Sequence, residues 1–263
     1  MTRLYGRRGI VKCLAEPLLA GRTVLLYGPM GSGESSLLEA LVRSMQKQRR
    51  PCAFCRCTRS LSDITEALLA VYPGVRVEGR TQRLLRSYLA DAIEARPGVL
   101  LLDHLGDAGT QFKGYLRTLR GTGLGVLLAA DAEATRDHEH LRAMNLAYQE
   151  IKIPPLASPS MNRILAEVLL ANPLPFIFTR GDKSALIRMA RGRPGWIVMA
   201  VQILHDIHYW RNSRVLRESL RAEIMTRIAG MYFEKLNERF AKNTLKTKTK
   251  TFIHIGSNER IFP

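Results

Sequence analysis

Hydrophobic residues in the first 155 positions follow two alternating rhythms. Short runs at Thr23–Tyr27, Cys52–Cys57, Val99–Leu102, Gly125–Ala130 and Glu150–Ile153 predict strands, and the apolar character of Thr23–Tyr27 fits a buried parallel strand. Between them the apolar positions fall three and four apart, the spacing of a helix with one buried face. Ser35 to Met45 is one such stretch, with Leu37, Leu38, Leu41 and Val42 on one side, and Leu61–Val71 is a second. A third, from Thr81 to Ala95, places Leu84, Leu85, Tyr88, Leu89, Ala92 and Ile93 on its apolar face, with Arg80, Arg83 and Arg86 as a solvated edge near its start. The alternation predicts an α/β fold, an open parallel sheet of about five strands.

Pro154-Pro155 closes that segment and a helical pattern follows. Ser158 is suited to cap a helix carrying Ile164, Leu165, Val168 and Leu169. Lys183–Arg191 forms a second helical stretch, Gly192-Arg193-Pro194-Gly195 breaks it with Pro194 fit for a first helical turn, and Trp196–Tyr209 continues as a third. Arg214–Phe240 reads as one long helix with Leu216, Leu220, Ile224, Ile228, Met231 and Leu236 as its stripe and Arg214, Arg217 and Arg221 as a wet basic row. Lys242, Lys246, Lys248 and Lys250 make a basic tail, and Thr251–Ile255 alternates like an edge strand. The expected division is an α/β domain over 1–155, a helical lid over 156–211, and a C-terminal helix and tail over 212–263.

Candidate chemistry gathers where the first strand meets its helix. Gly28-Pro29-Met30-Gly31-Ser32-Gly33-Glu34-Ser35 follows the phosphate-loop pattern G-x-x-x-x-G-K-[ST], with glutamate in place of lysine. Small residues let successive backbone N–H groups point at phosphate oxygens, at the positive end of a helix. Glu34 sets a carboxylate where the lysine normally reaches the β- and γ-phosphates. Two unit charges about 4 Å apart interact by roughly 4 kcal/mol at an effective dielectric of about 20, so an inward Glu34 would cost binding heavily. Rotation of the side chain outward is expected to soften that loss. Val99–Leu102 ends in Asp103, an acid placed to work with Ser35 on Mg²⁺. A tight structural turn is the plainer reading of the glycines, and the acid-terminated strand argues against it.

Charge adds a partner. The 263 residues carry 40 Lys and Arg against 23 Asp and Glu, a net +17 that favours a polyanion, with nucleic acid ahead of an anionic membrane surface and a merely solvated basic face as the alternative. No apolar run approaches the length of a membrane span, and Met1-Thr2-Arg3-Leu4 does not open a secretory signal. Cysteine usage fits a reducing compartment, so a cytoplasmic location is expected. Cys52, Cys55 and Cys57 have a metal-like spacing, but zinc needs a fourth ligand and strand cysteines point to opposite faces; buried strand cysteine is the better reading.

Together these motifs resemble the AAA+ and STAND branches of the phosphate-loop ATPases, over about Leu4 to Tyr209. Leu4-Tyr5-Gly6-Arg7 is similar to the hydrophobic-x-Gly-Arg segment that precedes the loop, Ile153-Pro154-Pro155-Leu156 to the junction of sheet and lid, and Gly192-Arg193-Pro194 to the G-x-P of the lid. The resemblance implies a P-loop NTPase sheet followed by an all-helical lid, binding ATP or ADP with Mg²⁺. It implies nucleotide contacts from Gly28, Pro29, Met30, Gly31, Ser32, Gly33, Glu34, Ser35 and Ser36, from Arg7 near the adenine and from Pro194. Ser35 and Asp103 would hold the metal, and Asp103 and His104 would carry catalysis, His104 standing where relatives place a water-orienting glutamate, with Asp107 as a substitute. Other departures are Gly195 in the place of a sensing arginine and Ala130-Asp131 in the place of a polar sensor. Arg136 and Arg142 are candidates for reaching a neighbour's phosphate, although surface arginine is the commoner role. The implied function is a nucleotide-dependent switch or motor subunit on or near nucleic acid, DNA ahead of RNA, with self-association as in AAA+ assemblies and with binding and hydrolysis impaired by Glu34. The alternative is a pseudo-ATPase scaffold or regulator; a small-molecule kinase fits less well because its lid inserts within the sheet domain.

Overall fold

A computed structural model describes residues 4–56, 60–75, 79, 81–103, 110–131, 147–212 and 214–230. The chain divides into two compact units, one of residues 1–173 with 186–198 and one of 174–185 with 199–263.

The first unit is built on five parallel strands: β1 (Thr23–Gly28), β2 (Cys52–Cys55), β3 (Val99–Leu102), β4 (Gly125–Asp131) and β5 (Gln149–Lys152). Their order is β2-β3-β4-β1-β5. Because side chains alternate along a strand, Leu25, Leu100 and Leu102 enter one core while Val24, Leu26, Val99 and Leu101 enter the other. Helices α1 (Arg8–Leu19) and α2 (Glu34–Lys47) cover the second face with Leu14, Leu18, Leu37, Leu38, Leu41 and Met45. Helices α3 (Leu61–Leu69), α4 (Gln82–Ala95) and α5 (Thr110–Gly121) cover the first. Each fully buried leucine contributes about 1.5–3 kcal/mol relative to exposure, so the two cores hold the sheet from both sides. Parallel strands place the loop after β1 and the residue after β3 at the same edge of the sheet.

Helix α6 (Ser158–Ala171) follows the sheet, then α7 (Arg180–Ala190) and α8 (Pro194–Ile203). In the second unit a short 3-10 turn, Ile207–Tyr209, leads into a hairpin of β6 (Trp210–Arg211) and β7 (Arg214–Val215), and α9 occupies 217–230. Trp210 packs its ring against Phe176 and Phe178, at 5.3 and 6.4 Å between centroids. Leu220, Ile224 and Ile228 are the buried stripe of α9.

Several boundaries differ from the sequence expectation. Trp196–Tyr209 is not one helix, and α9 does not begin at Arg214. The Asp206 carboxylate caps the 3-10 turn by accepting from the His208 N–H at 2.9 Å, and Asn212 takes the left-handed backbone (φ 47) that a tight hairpin turn needs. Arg214 therefore pairs with Arg211 in the hairpin, apart from Arg217 and Arg221 on α9. Ser158 is the first residue of α6 and not its cap; Ala157 precedes the helix with no side-chain bond, and Pro159 preorganises the first turn. Helix α7 starts at Arg180, where the Thr179 hydroxyl accepts from the Asp182 N–H at 3.2 Å. On α4, Leu84 and Tyr88 are 48% and 42% exposed, and only Leu85, Leu89 and Ile93 are buried in the helix. Arg86 lies over the Tyr115 ring at 5.4 Å and does not form a solvated edge. Strand β2 ends at Cys55, β5 begins at Gln149, and α3 stops at Leu69. Cys52 and Cys55 belong to opposite cores, and burial pushes the Cys52 thiol up to about 12. Cys57, residues beyond 230, and the expected strand at 251–255 lie outside the described residues.

Candidate functional site

The apolar run of β1 ends at buried Gly28, and the chain turns at once: the Ser32 N–H donates to the Pro29 carbonyl at 2.9 Å. Gly31 and Gly33 have φ of 80° and 89°, left-handed values that a residue with a Cβ adopts at a cost of about 1–2 kcal/mol. Gly33 is the N-cap of α2 and has no side chain with which to bond the first-turn N–H groups. The positive end of α2 therefore faces the loop, a setting suited to an anion. Pro29, Met30, Gly31, Gly33, Glu34 and Ser36 are half-buried around this turn, Ser32 is buried and Ser35 is exposed.

Asp103 follows β3, 3% exposed, with its backbone N–H donating to the Cys55 carbonyl at 2.9 Å. Its carboxylate Oδ2 accepts from the Ser35 hydroxyl at 3.0 Å. Two elements from different parts of the sheet thus bring a hydroxyl and a carboxylate together, an oxygen pair of the kind hard divalent cations take.

Glu34 does not swing outward as expected. Its Oε1 accepts from the Ser32 hydroxyl at 3.4 Å and lies 3.2 Å from where a side chain on Gly28 would begin, so the carboxylate turns back over the loop. A buried cation lies near it. Arg7, 3% exposed, donates from Nη1 to the Ser32 carbonyl and from Nη2 to the Pro154 carbonyl at 3.3 Å. Burial lowers the Arg7 guanidinium to about 10 and the nearby Glu34 charge partly offsets that, leaving it cationic at neutral pH. Arg7 ties together the leading segment, the loop and the exit from β5.

The start of α8 sits on the same loop. The Gly195 N–H donates to the Gly31 carbonyl at 2.9 Å, and a Cβ on Gly195 would meet the Gly31 Cα at 2.8 Å. A side chain at Gly195 would collide with the loop backbone. A Cβ on Gly33 would lie 3.2 Å from Arg7 Nη1 and 3.4 Å from Pro194 Cγ, so Arg7, Gly33 and Pro194 converge. Trp196 lies against Gly31, and the Arg193 guanidinium stacks over its ring at 4.8 Å. No motif assigns Trp196 a role; its one signal in the sequence is an aromatic directly after Pro194-Gly195, a pair that marks close backbone approach. His104, Asp107, Arg136 and Arg142 lie outside the described residues, as does the side chain of Asp131.

The family model for ATPases associated with various cellular activities, AAA, matches residues 24–156. The fold is similar to that of the Walker-type ATPase PABY2304 of Pyrococcus abyssi, with a TM-score of 0.56 and 16% identity, over 91% of this chain and 76% of that one. It is similar also to the Hsp104–ADP complex of S. cerevisiae, with a TM-score of 0.50 and 16% identity, over 77% of this chain and 31% of that one. At such identities the likeness concerns the fold alone. Among curated proteins none matches the chain. Among the described residues no helix is long and apolar enough to cross a membrane.

Proposed function

The chain belongs to the AAA family of ATPases, and on that premise we propose that it binds ATP or ADP with Mg²⁺ at the loop Gly28–Ser36, as a nucleotide-dependent switch or motor subunit whose binding and hydrolysis are impaired by Glu34. The observation that carries the reading is the 3.0 Å approach of the Ser35 hydroxyl to the Asp103 carboxylate beside the glycine loop. That donor pair suits Mg²⁺, which when bound would neutralise phosphate charge. Arg7 holds the loop's backbone in place from beneath, and Pro194 and Gly195 close against it, in keeping with the STAND-like lid.

Titration calorimetry of Mg-ATP and Mg-ADP against this chain and Glu34→Lys tests the proposal. The lysine form binds more tightly and turns over ATP faster; equal or weaker binding by it would mean that the loop is no phosphate cradle. The inward carboxylate of Glu34 favours a second reading, a pseudo-ATPase scaffold in which the loop already contains its own anion. Full-strength regulation of a partner by a chain that binds no nucleotide would select it.

The net +17 supports nucleic acid as the partner, with DNA ahead of RNA. Such binding is expected to be sequence-independent and to weaken steeply with salt as phosphate neutralisation releases counterions. Deleting the residues after Phe240, which carry Lys242, Lys246, Lys248 and Lys250, flattens the salt slope if the tail contributes. An unchanged slope would move the contacts elsewhere.

A further inference from the structure

The chain has two tryptophans, and their indole N–H groups are treated differently. Trp210 donates to the Leu204 carbonyl at 2.8 Å. Trp196 is 9% exposed, and its buried N–H meets no acceptor among the described residues. An unpaired buried donor costs about 1–3 kcal/mol, and native structures seldom retain one without a reason. Its position supplies a reason. The Cδ1–Nε1 edge of the ring is what a Cβ on Gly31 would strike, at 2.7 and 3.2 Å, so the N–H edge lies against the fourth residue of the glycine loop. The Gly31 carbonyl accepts from the Gly195 N–H at 2.9 Å and does not bond the indole. Above the ring the Arg193 guanidinium, 4.8 Å from the centroid, adds positive potential beside the same donor.

We propose that the indole N–H of Trp196 is a phosphate-binding donor: it bonds an oxygen of a polyphosphate seated in the loop, with Arg193 favouring the anion. The inference rests on the reading of the loop as a nucleotide site and adds to it a lid residue that recognises the phosphate chain and not the nucleoside. A neutral donor beside a cation, close to the positive end of α2, is matched by an anionic oxygen.

The test uses the full chain labelled with ¹⁵N, in which Trp210→Phe assigns the two indole N–H resonances. Mg-ADP and pyrophosphate move the Trp196 resonance downfield, adenosine does not, and the Trp210 resonance stays in place throughout. Trp196→Phe, which keeps an aromatic ring and removes the donor, lowers Mg-ADP affinity about tenfold, the scale of one hydrogen bond to a charged group. A Trp196 resonance unmoved by Mg-ADP, when calorimetry shows that Mg-ADP binds, would overturn the inference and leave the nucleotide reading intact. An adenosine shift equal to that of Mg-ADP would overturn the phosphate assignment by placing the donor on the nucleoside. No binding of Mg-ADP to this chain or to Glu34→Lys would overturn both.

Discussion

At the glycine loop, Arg7 and Trp196 are buried with one donor each, Nε and Nε1, that finds no partner among the described residues. Around Trp210, in the other unit, the same residue types are fully engaged: the indole bonds Leu204, and Arg217 bonds Asp182 Oδ1 through Nε at 3.2 Å and Nη2 at 2.9 Å. Asp182 also accepts from the Thr179 hydroxyl at 2.6 Å. Both corners are built from tryptophan, arginine and an acid. In one, the polar groups bond one another. The other leaves two buried donors without a partner among the described residues, a burden for stability, and turns an acid toward the loop dipoles that a phosphate would otherwise engage.

The largest effect expected concerns chemistry at the open corner. In a Glu34→Lys background, Asp103→Asn lowers ATP turnover about 100- to 1,000-fold, the scale of removing one preorganised electrostatic group, while circular dichroism stays unchanged. Turnover near the parent rate would detach Asp103 from the site. Glu34→Lys alone tightens Mg-ATP binding about 100-fold, about 2.7 kcal/mol and well short of the full reversal of a charge pair, because Ser32 bonds the carboxylate and the Arg7 charge lies near it. Calorimetry reads that change directly.

Gly31→Ala loses about 2–3 kcal/mol in thermal unfolding, because the left-handed φ and the Trp196 edge at 2.7 Å both oppose a methyl group. Gly114→Ala sharpens the contrast: it lies within α5, a Cβ there meets nothing within 4 Å, and stability rises by about 0.5–1 kcal/mol. Equal effects at the two glycines would remove Trp196 from its seat.

At the closed corner, burial alone would raise the Asp182 carboxyl, but hydrogen bonds from Thr179 and Arg217 and the Arg217 charge outweigh it and hold it below its ordinary 3.8. A lowered folded value means that the stabilisation is complete above the ordinary value and is lost as pH falls through the folded one. Asp182→Asn therefore costs about 1 kcal/mol at neutral pH, followed by tryptophan fluorescence in denaturant in a Trp196→Phe background, which leaves Trp210 as the reporter, and the cost shrinks toward pH 3. A cost independent of pH would mean that the Asp182 charge contributes nothing.

Much of this was legible in the chain. The apolar runs of β1, β3 and β4 form strands because unbroken Val and Leu need burial on both faces, whereas β5, Gln149-Glu150-Ile151-Lys152 at the end of the sheet order, is largely exposed; the motifs pair Ser35 with Asp103, whose side chains stand 3.0 Å apart. Periodicity overstates helix length where a local cap or turn ends an element: Asp206 and Asn212 interrupt a pattern that continues apolar through Tyr209. Burial on α4 was over-assigned because a helix of that position offers one stripe to the core, and Leu84 and Tyr88 fall beside it.

Local spacing and residue chemistry by themselves determined the strand-loop-helix frame, the glutamate at position 34 of the loop, the acid after β3 and the net charge, since each is read from the sequence itself. Tertiary structure alone decided the strand order, in which β4 lies between β1 and β3, and hence that residues 68 apart in sequence share a hydrogen bond. It also decided the inward pose of Glu34, the burial of Arg7 beneath the loop, and the seat of Trp196 on Gly31. Those are contacts between segments distant in the chain, set by which surfaces the packed sheet leaves for each side chain, and no periodicity encodes them.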